Sequence, residues 1–164
     1  MLNIGIIVPC FNEEEVLTET NRRLIDIINN LSYLQKISSN SKIYYVDDGS
    51  SDNTWELIES LCVNNRNQIS GIKLSRNYGH QNAIIAGLFN AHGDALITLD
   101  ADLQDDVETI EAMVDKHLSG FDIVYGVRSK RDTDSLFKRL SASLFYSFMQ
   151  VLGTKVIKNH ADFR

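Results

Sequence analysis

The feature that most constrains the fold is a regular alternation of short apolar runs with longer segments of helical spacing. The apolar runs predict five strands, over residues 4–8, 42–46, 72–74, 95–99 and 121–125. The helical spacing predicts five helices, over residues 13–31, 54–61, 81–91, 107–118 and 136–152. Runs that are apolar at successive positions suit strands covered on both faces. The alternation therefore predicts an α/β fold with a mostly parallel sheet.

The first predicted strand and helix carry local signals for their ends. Pro9 follows the first apolar run, so we expect the strand to stop there. Asn12 is a suitable N-cap for the next helix. The acidic residues Glu13 to Glu15 would then lie in the first helical turn, where the helix dipole favours negative charge.

Length, charge and cysteine content restrict the class of protein. A chain of 164 residues fits one domain with a single core. The formal net charge of −6 argues against nucleic-acid binding, which needs a basic face. Cys10 and Cys62 lack metal-ligand spacing and are expected to be reduced thiols. No apolar run reaches the roughly 18 residues of a transmembrane helix. We expect no signal peptide, because the residues before the first strand include no basic segment and no small-residue cleavage site.

Polar clusters follow all five predicted strands. They are Asn12-Glu13, Asp47-Asp48, Arg76-Asn77, Asp100 to Asp102, and Arg128. In open parallel sheets, ligands bind beyond the carboxyl ends of the strands, which lie at one edge. The sequence therefore predicts a polar binding site at that edge rather than a set of unrelated solvated loops.

Asp100-Ala101-Asp102 follows the fourth predicted strand. Two carboxylates at positions i and i+2 can turn toward one hard cation, and Mg²⁺ and Mn²⁺ prefer such oxygen ligands. Gln104 could add a ligand or hold a metal-bound water. The alternative is a solvated acidic turn, but the position at the end of a buried strand favours metal binding.

The other clusters have both binding and structural interpretations. The carboxylates after the second strand can accept hydrogen bonds from a nucleobase or ribose, while Ser51 or Asp52 could instead cap the next helix. Residues 9–13 could contact a nucleoside or form a capped helix start. Arg76 suits a diphosphate or pairing with the acids. His80 is more typical of a surface position at a helix start.

Two features distinguish the C-terminal part of the chain. Arg128 and Arg131 belong to a basic loop, and paired arginines bind phosphate oxygens bidentately. A solvated basic loop is the alternative. The predicted helix over residues 136–152 has a wide, aromatic-rich apolar stripe, which suits either core packing or a helix at a membrane surface.

Taken together, these residues resemble the inverting family 2 glycosyltransferases of the GT-A fold. The motifs occur in the order typical of that family: Pro9-x-Phe11-Asn12-Glu13, Asp47-Asp48-Gly49-Ser50-x-Asp52, Arg76-Asn77-x-Gly79, Asp100-Ala101-Asp102-Leu103-Gln104-Asp105, Gly126-x-Arg128 and Asp162-Phe163-Arg164. Within the family, the chain is most similar to polyprenyl-phosphate sugar transferases, such as bactoprenol glucosyltransferases and dolichol-phosphate mannose synthase. The resemblance covers essentially the whole chain and implies a Rossmann-like three-layer fold.

The resemblance also implies roles for particular residues. Those implied to line the nucleotide pocket are Pro9, Glu13, Asp48 and Arg76, with Asp100 also at the donor. Those implied to hold Mg²⁺ or Mn²⁺ on the donor diphosphate are Asp100, Asp102 and Gln104. Those implied in catalysis are Asp102, Arg128, Arg131 and Asp162. Of these, Arg128 and Arg131 would receive the acceptor phosphate, and Asp162 would be a base or an acceptor-positioning carboxylate.

The activity implied by the resemblance is metal-dependent transfer of a sugar from a nucleotide-sugar, with a UDP-sugar as donor, to a polyprenyl phosphate with inversion. Two alternatives stay open: a family 2 transferase with a glycan hydroxyl as acceptor, and a non-catalytic nucleotide-sugar binding module. Such enzymes usually continue into membrane helices. We therefore expect residues 1–164 to be one catalytic domain truncated before those helices, in a protein at the cytoplasmic face of the membrane. A homo-oligomer is compatible with the sequence, which does not specify oligomeric state.

Overall fold

The computed structural model describes residues 1–103 and 106–126. Within them, strands and helices alternate: β1 (Ile4–Cys10), α1 (Leu17–Tyr33), β2 (Lys42–Asp47), α2 (Thr54–Asn64), β3 (Ile69–Lys73), α3 (His80–Asn90), β4 (Ala95–Thr98) and α4 (Thr109–Leu118). The predicted α/β class and the first four predicted strands and helices are confirmed. The predicted features outside the described residues are Gln104, Arg128, Arg131, Asp162 and the helix over residues 136–152.

The strands form one parallel four-stranded sheet in the order β3-β2-β1-β4. β1 lies between β2 and β4 and is buried at every position. Cys10 of β1 lies beside Asp47 of β2, and Ile7 lies beside Thr98 of β4. Parallel pairing brings the carboxyl ends of these strands to one edge, where the polar clusters begin.

Helices cover both faces of this sheet. Adjacent residues of a strand point to opposite faces. Tyr44 packs with Ile7 against α3, whereas the hydroxyl of Tyr45 donates to Asn21 Oδ1 of α1 at 3.2 Å. A Cβ at residue 87 would lie 2.3 Å from Ile7 Cγ2, so α3 approaches the sheet this closely because Gly87 has no side chain. The described residues therefore form three layers: helices, sheet and helix.

β1 continues through Pro9, so the prediction that Pro9 ends the strand is wrong. Along β1, backbone groups point alternately to the two neighbouring strands. The carbonyl of Ile7 accepts from Leu99 on the β4 side at 3.0 Å, and that of Cys10 accepts from Asp48 on the β2 side at 2.8 Å. Pro9 therefore faces the β4 side, beyond the last residue of β4, where its missing N–H removes no existing ladder bond.

α1 begins at Leu17 rather than at residue 13, and Asn12 is not its N-cap. Asn12 has a φ of +57°, in the left-handed region that asparagine tolerates better than most residues. Its N–H donates to Ser50 Oγ at 3.0 Å, and its side-chain oxygen accepts from Ser51 N at 2.8 Å. The chain thus turns at Asn12, and Glu13 to Glu15 precede the helix.

Residues 121–125, which the sequence predicts as a fifth strand, form no strand. The apolar side chains that produced the prediction are exposed, at 56% for Phe121 and 67% for Ile123. A strand needs a neighbour to satisfy its backbone groups, and none of β1 to β4 pairs with this segment. Within the described residues, this apolar run therefore has no neighbouring strand with which to form a sheet.

Candidate active site

A cleft of about 280 Å³ opens at the carboxyl ends of β1, β2 and β4. Its lining residues are Pro9, Cys10, Phe11, Glu13, Asp48, Asn77, His80, Ala83, Asp100, Ala101 and Asp102. The predicted site residues among them are Pro9, Glu13, Asp48, Asp100 and Asp102. The structure therefore brings these residues together, while their individual roles stay predictions.

The loop of Asp100 to Asp102 is anchored on two sides. Leu99 N donates to Ile7 O at 3.0 Å, which extends the pairing of β1 and β4 by one residue. The hydroxyl of Thr20 on α1 donates to Ala101 O at 2.7 Å, and both residues are buried. Because Ala101 is buried between them, the two aspartates are held at the cleft by a fixed backbone.

Carboxylates line the cleft from three loops: Glu13 after β1, Asp48 after β2, and Asp100 and Asp102 after β4. Burial raises the pKa of Glu13 above its ordinary value, and the negative charges of Asp102, Asp100 and Asp52 raise it further. The three aspartates thus disfavour the ionisation of Glu13, and the cleft is a region of negative potential. A cation bound there would relieve this repulsion.

The donor atoms fit a divalent cation. Asp100 and Asp102 offer carboxylate oxygens, the class of ligand that Mg²⁺ and Mn²⁺ prefer. Within residues 1–103 and 106–126, no group of three or more His, Cys, Asp or Glu side chains could hold an ion by itself. Mg²⁺ usually keeps waters or substrate phosphates among its ligands, so a pair of protein carboxylates is sufficient for such a site.

Asp48 fixes the loop that leads into α3. Its side chain is 2% exposed. Oδ1 accepts a hydrogen bond from Tyr78 N at 2.8 Å, and Oδ2 accepts one from Gly79 N at 2.9 Å. Both oxygens of Asp48 therefore have backbone partners on the next loop. Asp48, which is predicted to line the nucleotide pocket, therefore has a structural role: it joins two loops that are 30 residues apart in the sequence.

The loop that carries Glu13 is tied to the start of α2. Glu13 N donates to Thr54 Oγ1 at 2.8 Å, and Glu14 Oε2 accepts from Asn53 N at 3.0 Å. Asp52 accepts from Thr54 N at 3.0 Å and from Glu14 N at 3.2 Å. The N-cap of α2 is Asn53, so the prediction that Ser51 or Asp52 caps this helix is wrong. Asp52, one residue earlier, instead ties the first residue of α2 to the loop that carries Glu13.

Arg76, predicted at the nucleotide pocket, does not line the cleft. Its guanidinium lies over the ring of Tyr78, 4.9 Å from the ring centroid, and the residue is exposed. Its backbone packs against Gly49, which has a φ of +69°. A Cβ at Gly49 would lie 2.4 Å from the Arg76 carbonyl carbon, so this contact requires glycine. The role of the Arg76 side chain at a diphosphate stays a prediction.

His80 and Cys10 are among the cleft residues that were not predicted as site residues. His80 begins α3, and its Nε2 lies 3.6 Å from Asp100 Oδ1. Its place directly after the Arg76 cluster, at a helix start facing the strand ends, is the signal that could have identified it. Cys10 is buried, and burial, Glu13 and Asp47 all raise the pKa of its thiol. The Cys10 thiol is therefore protonated and a poor nucleophile.

Replacing Glu13 with glutamine should reduce the pH dependence of stability in the metal-free chain. The folded pKa of Glu13 lies above its ordinary value of 4.5, so the folded state binds more protons than the unfolded state in this range. Stability falls as the pH rises from the unfolded pKa through the folded one, and the loss persists at neutral pH. The glutamine side chain cannot ionise, so Glu13→Gln should remove the part of the stability loss with rising pH that Glu13 causes.

The measurement is urea unfolding in EDTA from about pH 4.5 to about pH 7. Glu15→Gln, at an exposed position beside the same loop, is the matched control. If the two variants lose stability equally with rising pH, the repulsion assigned to Glu13 is absent.

The fold is that of the GT-A glycosyltransferases. Mannosyl-3-phosphoglycerate synthase from Rubrobacter xylanophilus superposes with a TM-score of 0.60 at 19% identity, covering 90% of this chain and 48% of that one. The mannosyltransferase PcManGT from Pyrobaculum calidifontis, solved with GDP-Man and Mn²⁺, gives a TM-score of 0.57 at 19% identity, covering 80% and 37%. At these identities the likeness concerns the fold alone.

The chain belongs to glycosyl transferase family 2, whose model matches residues 5–163. It is 49% identical over 163 residues to the glycosyltransferase YkoT of Bacillus subtilis (strain 168), covering 98% of this chain and 48% of YkoT. It is 35% identical over 164 residues to the prophage bactoprenol glucosyl transferase homolog of Escherichia coli (strain K12), covering 99% and 51%. The chain is therefore a glycosyltransferase domain, and it spans about half the length of these relatives.

Proposed function

We propose that this domain binds a nucleotide-sugar, with a UDP-sugar as donor, and transfers the sugar with inversion to a polyprenyl phosphate. The observation that carries the proposal is that Glu13, Asp48, Asp100 and Asp102 line one and the same cleft. An acidic cleft does not suit a bare diphosphate, but it suits a diphosphate bound through a divalent cation. The loops that carry these acids are held by backbone hydrogen bonds, so the site is preformed.

The acceptor is proposed from the relatives. The proteins from Escherichia coli (strain K12) and Shigella phage SfV that match at 35% identity are named as bactoprenol glucosyl transferases or homologs of them. Bactoprenol is a polyprenyl lipid carrier, and its phosphate would need cationic partners. Arg128 and Arg131, which lie outside the described residues, are the candidates because guanidinium groups bind phosphate oxygens bidentately.

The proposal assigns each predicted residue to one part of the donor. Glu13, Asp48 and Pro9 are assigned to the nucleoside, and Asp100 and Asp102 to the diphosphate; all five line the cleft. Asp100 and Asp102, with Gln104 as a further ligand, would hold Mg²⁺ or Mn²⁺, which when bound would supply Lewis-acid stabilisation of the charge on the leaving diphosphate. The anchored Asp100–Asp102 backbone keeps the two aspartates in place before the donor arrives, which reduces reorganisation during the reaction.

Inversion follows from a direct displacement at the anomeric carbon. An acceptor phosphate oxygen forms the new bond to that carbon as the bond to the nucleoside diphosphate breaks on the opposite face. The phosphate is already anionic near neutral pH, so its attack needs no strong base. We therefore assign Asp162, outside the described residues, to positioning the acceptor rather than to deprotonating it.

Polyprenyl carriers reside in membranes, so we place the reaction at the cytoplasmic face of a membrane. Among the residues that the structure describes, no helix has the length and apolar composition needed to span a bilayer. The candidate for membrane contact is the apolar stripe in the sequence of residues 136–152, which follows the basic loop of Arg128 and Arg131.

UDP-sugars are expected to raise the Tm of the chain in Mn²⁺ and to raise it much less in EDTA. A ligand at roughly 100-fold its Kd stabilises the folded state by about 2.7 kcal/mol, since it binds only that state. The panel contains UDP-glucose, GDP-mannose and ATP, each with Mn²⁺ and with EDTA. An equal shift with ATP, or a shift that does not depend on the metal, would contradict the proposed donor site.

The acceptor is tested with the full-length protein and labelled donor. Undecaprenyl phosphate, the unphosphorylated lipid and a soluble glycan are offered in parallel. Label on the lipid phosphate alone supports the proposal. Label on the glycan alone would instead assign a hydroxyl acceptor, for which a true base is required.

A further inference from the structure

The cleft contains a histidine that the proposed reaction does not use. His80 is the first residue of α3, and its Nε2 lies 3.6 Å from Asp100 Oδ1. The side chains are 42% and 31% exposed, so both reach the cleft without being held by core packing. The separation is longer than a hydrogen bond. In proteins without ligand, such active-site contacts are often long and shorten when the ligand binds.

The backbone that presents His80 is held by a dense set of hydrogen bonds. Gly79 N donates to Asp48 Oδ2 at 2.9 Å and to Asn77 Oδ1 at 3.0 Å, and Tyr78 N donates to Asp48 Oδ1 at 2.8 Å. Gly79 has a φ of +92°, a conformation available to glycine, which turns the chain directly into α3. The backbone that carries the His80 imidazole is therefore held in place by Asp48, which follows β2.

Asp100 and the loop of His80 come from strands on opposite sides of β1. Asp100 follows β4, whereas Asp48 follows β2, and the two strands lie on opposite sides of β1. The contact of His80 with Asp100 thus joins the loop held by Asp48 to the loop that carries the metal-binding aspartates.

We propose that His80 is a positioning residue for Asp100, and that it sets the direction in which this carboxylate presents its oxygens to the cation. The proposal rests on the proposed function, because it assumes that Asp100 binds a metal. Groups that hydrogen-bond a metal-ligating side chain orient it, and their removal typically lowers metal affinity by about 10- to 100-fold. Asp48 also holds the Tyr78-Gly79 backbone that precedes His80. His80 therefore links the position of Asp100 to that of Asp48, which we assign to the nucleoside.

The test uses the full chain and three variants. His80→Leu removes both ring nitrogens, His80→Gln keeps an N–H donor at similar reach, and His92→Leu changes an exposed histidine just beyond the other end of α3. The affinity for Mn²⁺ is measured by electron paramagnetic resonance of the free ion, with UDP or GDP present. Tm values in EDTA establish that each variant is folded.

We expect His80→Leu to weaken Mn²⁺ binding by about 10-fold or more, in line with the loss of an orienting partner. His80→Gln should stay within about threefold of the unsubstituted chain because it can still donate to Asp100, and His92→Leu should bind normally. Unchanged affinity in His80→Leu, or equal losses in the leucine and glutamine variants, would overturn the assignment. If the unsubstituted chain binds no Mn²⁺ with either nucleotide, the proposed function itself fails, and this result is distinguishable from the others.

Discussion

Replacing Asp102 with asparagine is expected to lower kcat/KM for sugar transfer by about 10³-fold. Asparagine keeps the shape of the side chain but removes the negative charge that we propose holds a divalent cation. Metal stabilisation of a developing charge contributes several kcal/mol, and each 1.36 kcal/mol is about a tenfold change in rate. The fold should be retained because the Asp100–Asp102 loop is anchored through Leu99 N and Ala101 O, neither of which this substitution changes.

The measurement is turnover of labelled donor by the full-length protein, together with the Tm of the chain with and without Mn²⁺. We expect the substitution to abolish the Mn²⁺-dependent part of donor stabilisation. Asp26→Asn is the control, since Asp26 is 62% exposed in an i,i+4 pair with Arg22 and surface pairs of this kind contribute little. Full activity of Asp102→Asn in EDTA would refute the metal site.

Replacing Asp48 with alanine is expected to lower the free energy of unfolding by about 2 to 4 kcal/mol. The reason is that the backbone N–H of Tyr78 loses its acceptor, while that of Gly79 loses the charged one of its two acceptors and keeps Asn77 Oδ1. A partly buried donor left without an acceptor costs about 1 to 3 kcal/mol. Asp48→Asn should lose about half as much, because its amide retains a single acceptor oxygen.

Urea unfolding of the chain measures both values. Asp94→Ala is the matched control: its Oδ2 accepts one backbone hydrogen bond, from Asn3 N at 2.8 Å, at an exposed position. We expect that variant to lose less than about 1 kcal/mol. An Asp48→Ala chain as stable as Asp94→Ala would mean that the Tyr78-Gly79 loop is held by other contacts.

The fold was largely predictable because its signals are local. β1, β2 and β4 are apolar runs, and such runs bounded by polar residues are recognisable without tertiary information. β3 was predicted at residues 72–74 but spans Ile69–Lys73, because Gly71 interrupts the apolar pattern. The structure explains this glycine: a Cβ there would lie 2.7 Å from Ile58 Cγ2 of α2. The predicted fifth strand failed because periodicity does not reveal whether a neighbouring strand exists.

The site was predictable in its location but not in its contacts. Clusters at strand ends must converge in a parallel sheet, so Glu13, Asp48 and Asp100 could be grouped from topology. The hydrogen bonds that hold them depend on the loop conformations. Asn12 turns through the left-handed region, and the Arg76 side chain lies over Tyr78 rather than in the cleft. His80 was undervalued because its partner is 20 residues away in the sequence, His80 to Asp100.

The proline inside β1 has a consequence for how the cleft comes to exist. In a parallel ladder, the residue two places after Ile7 donates to the carbonyl of Leu99, whose own N–H is already bound to Ile7. Residue 9 is proline and has no N–H, so the ladder between β1 and β4 lacks its next hydrogen bond. The last bond of this ladder is that of Leu99 N with Ile7 O, and the next residue is Asp100. A proline in an inner strand thus weakens the pairing at the point where the aspartate loop leaves the sheet.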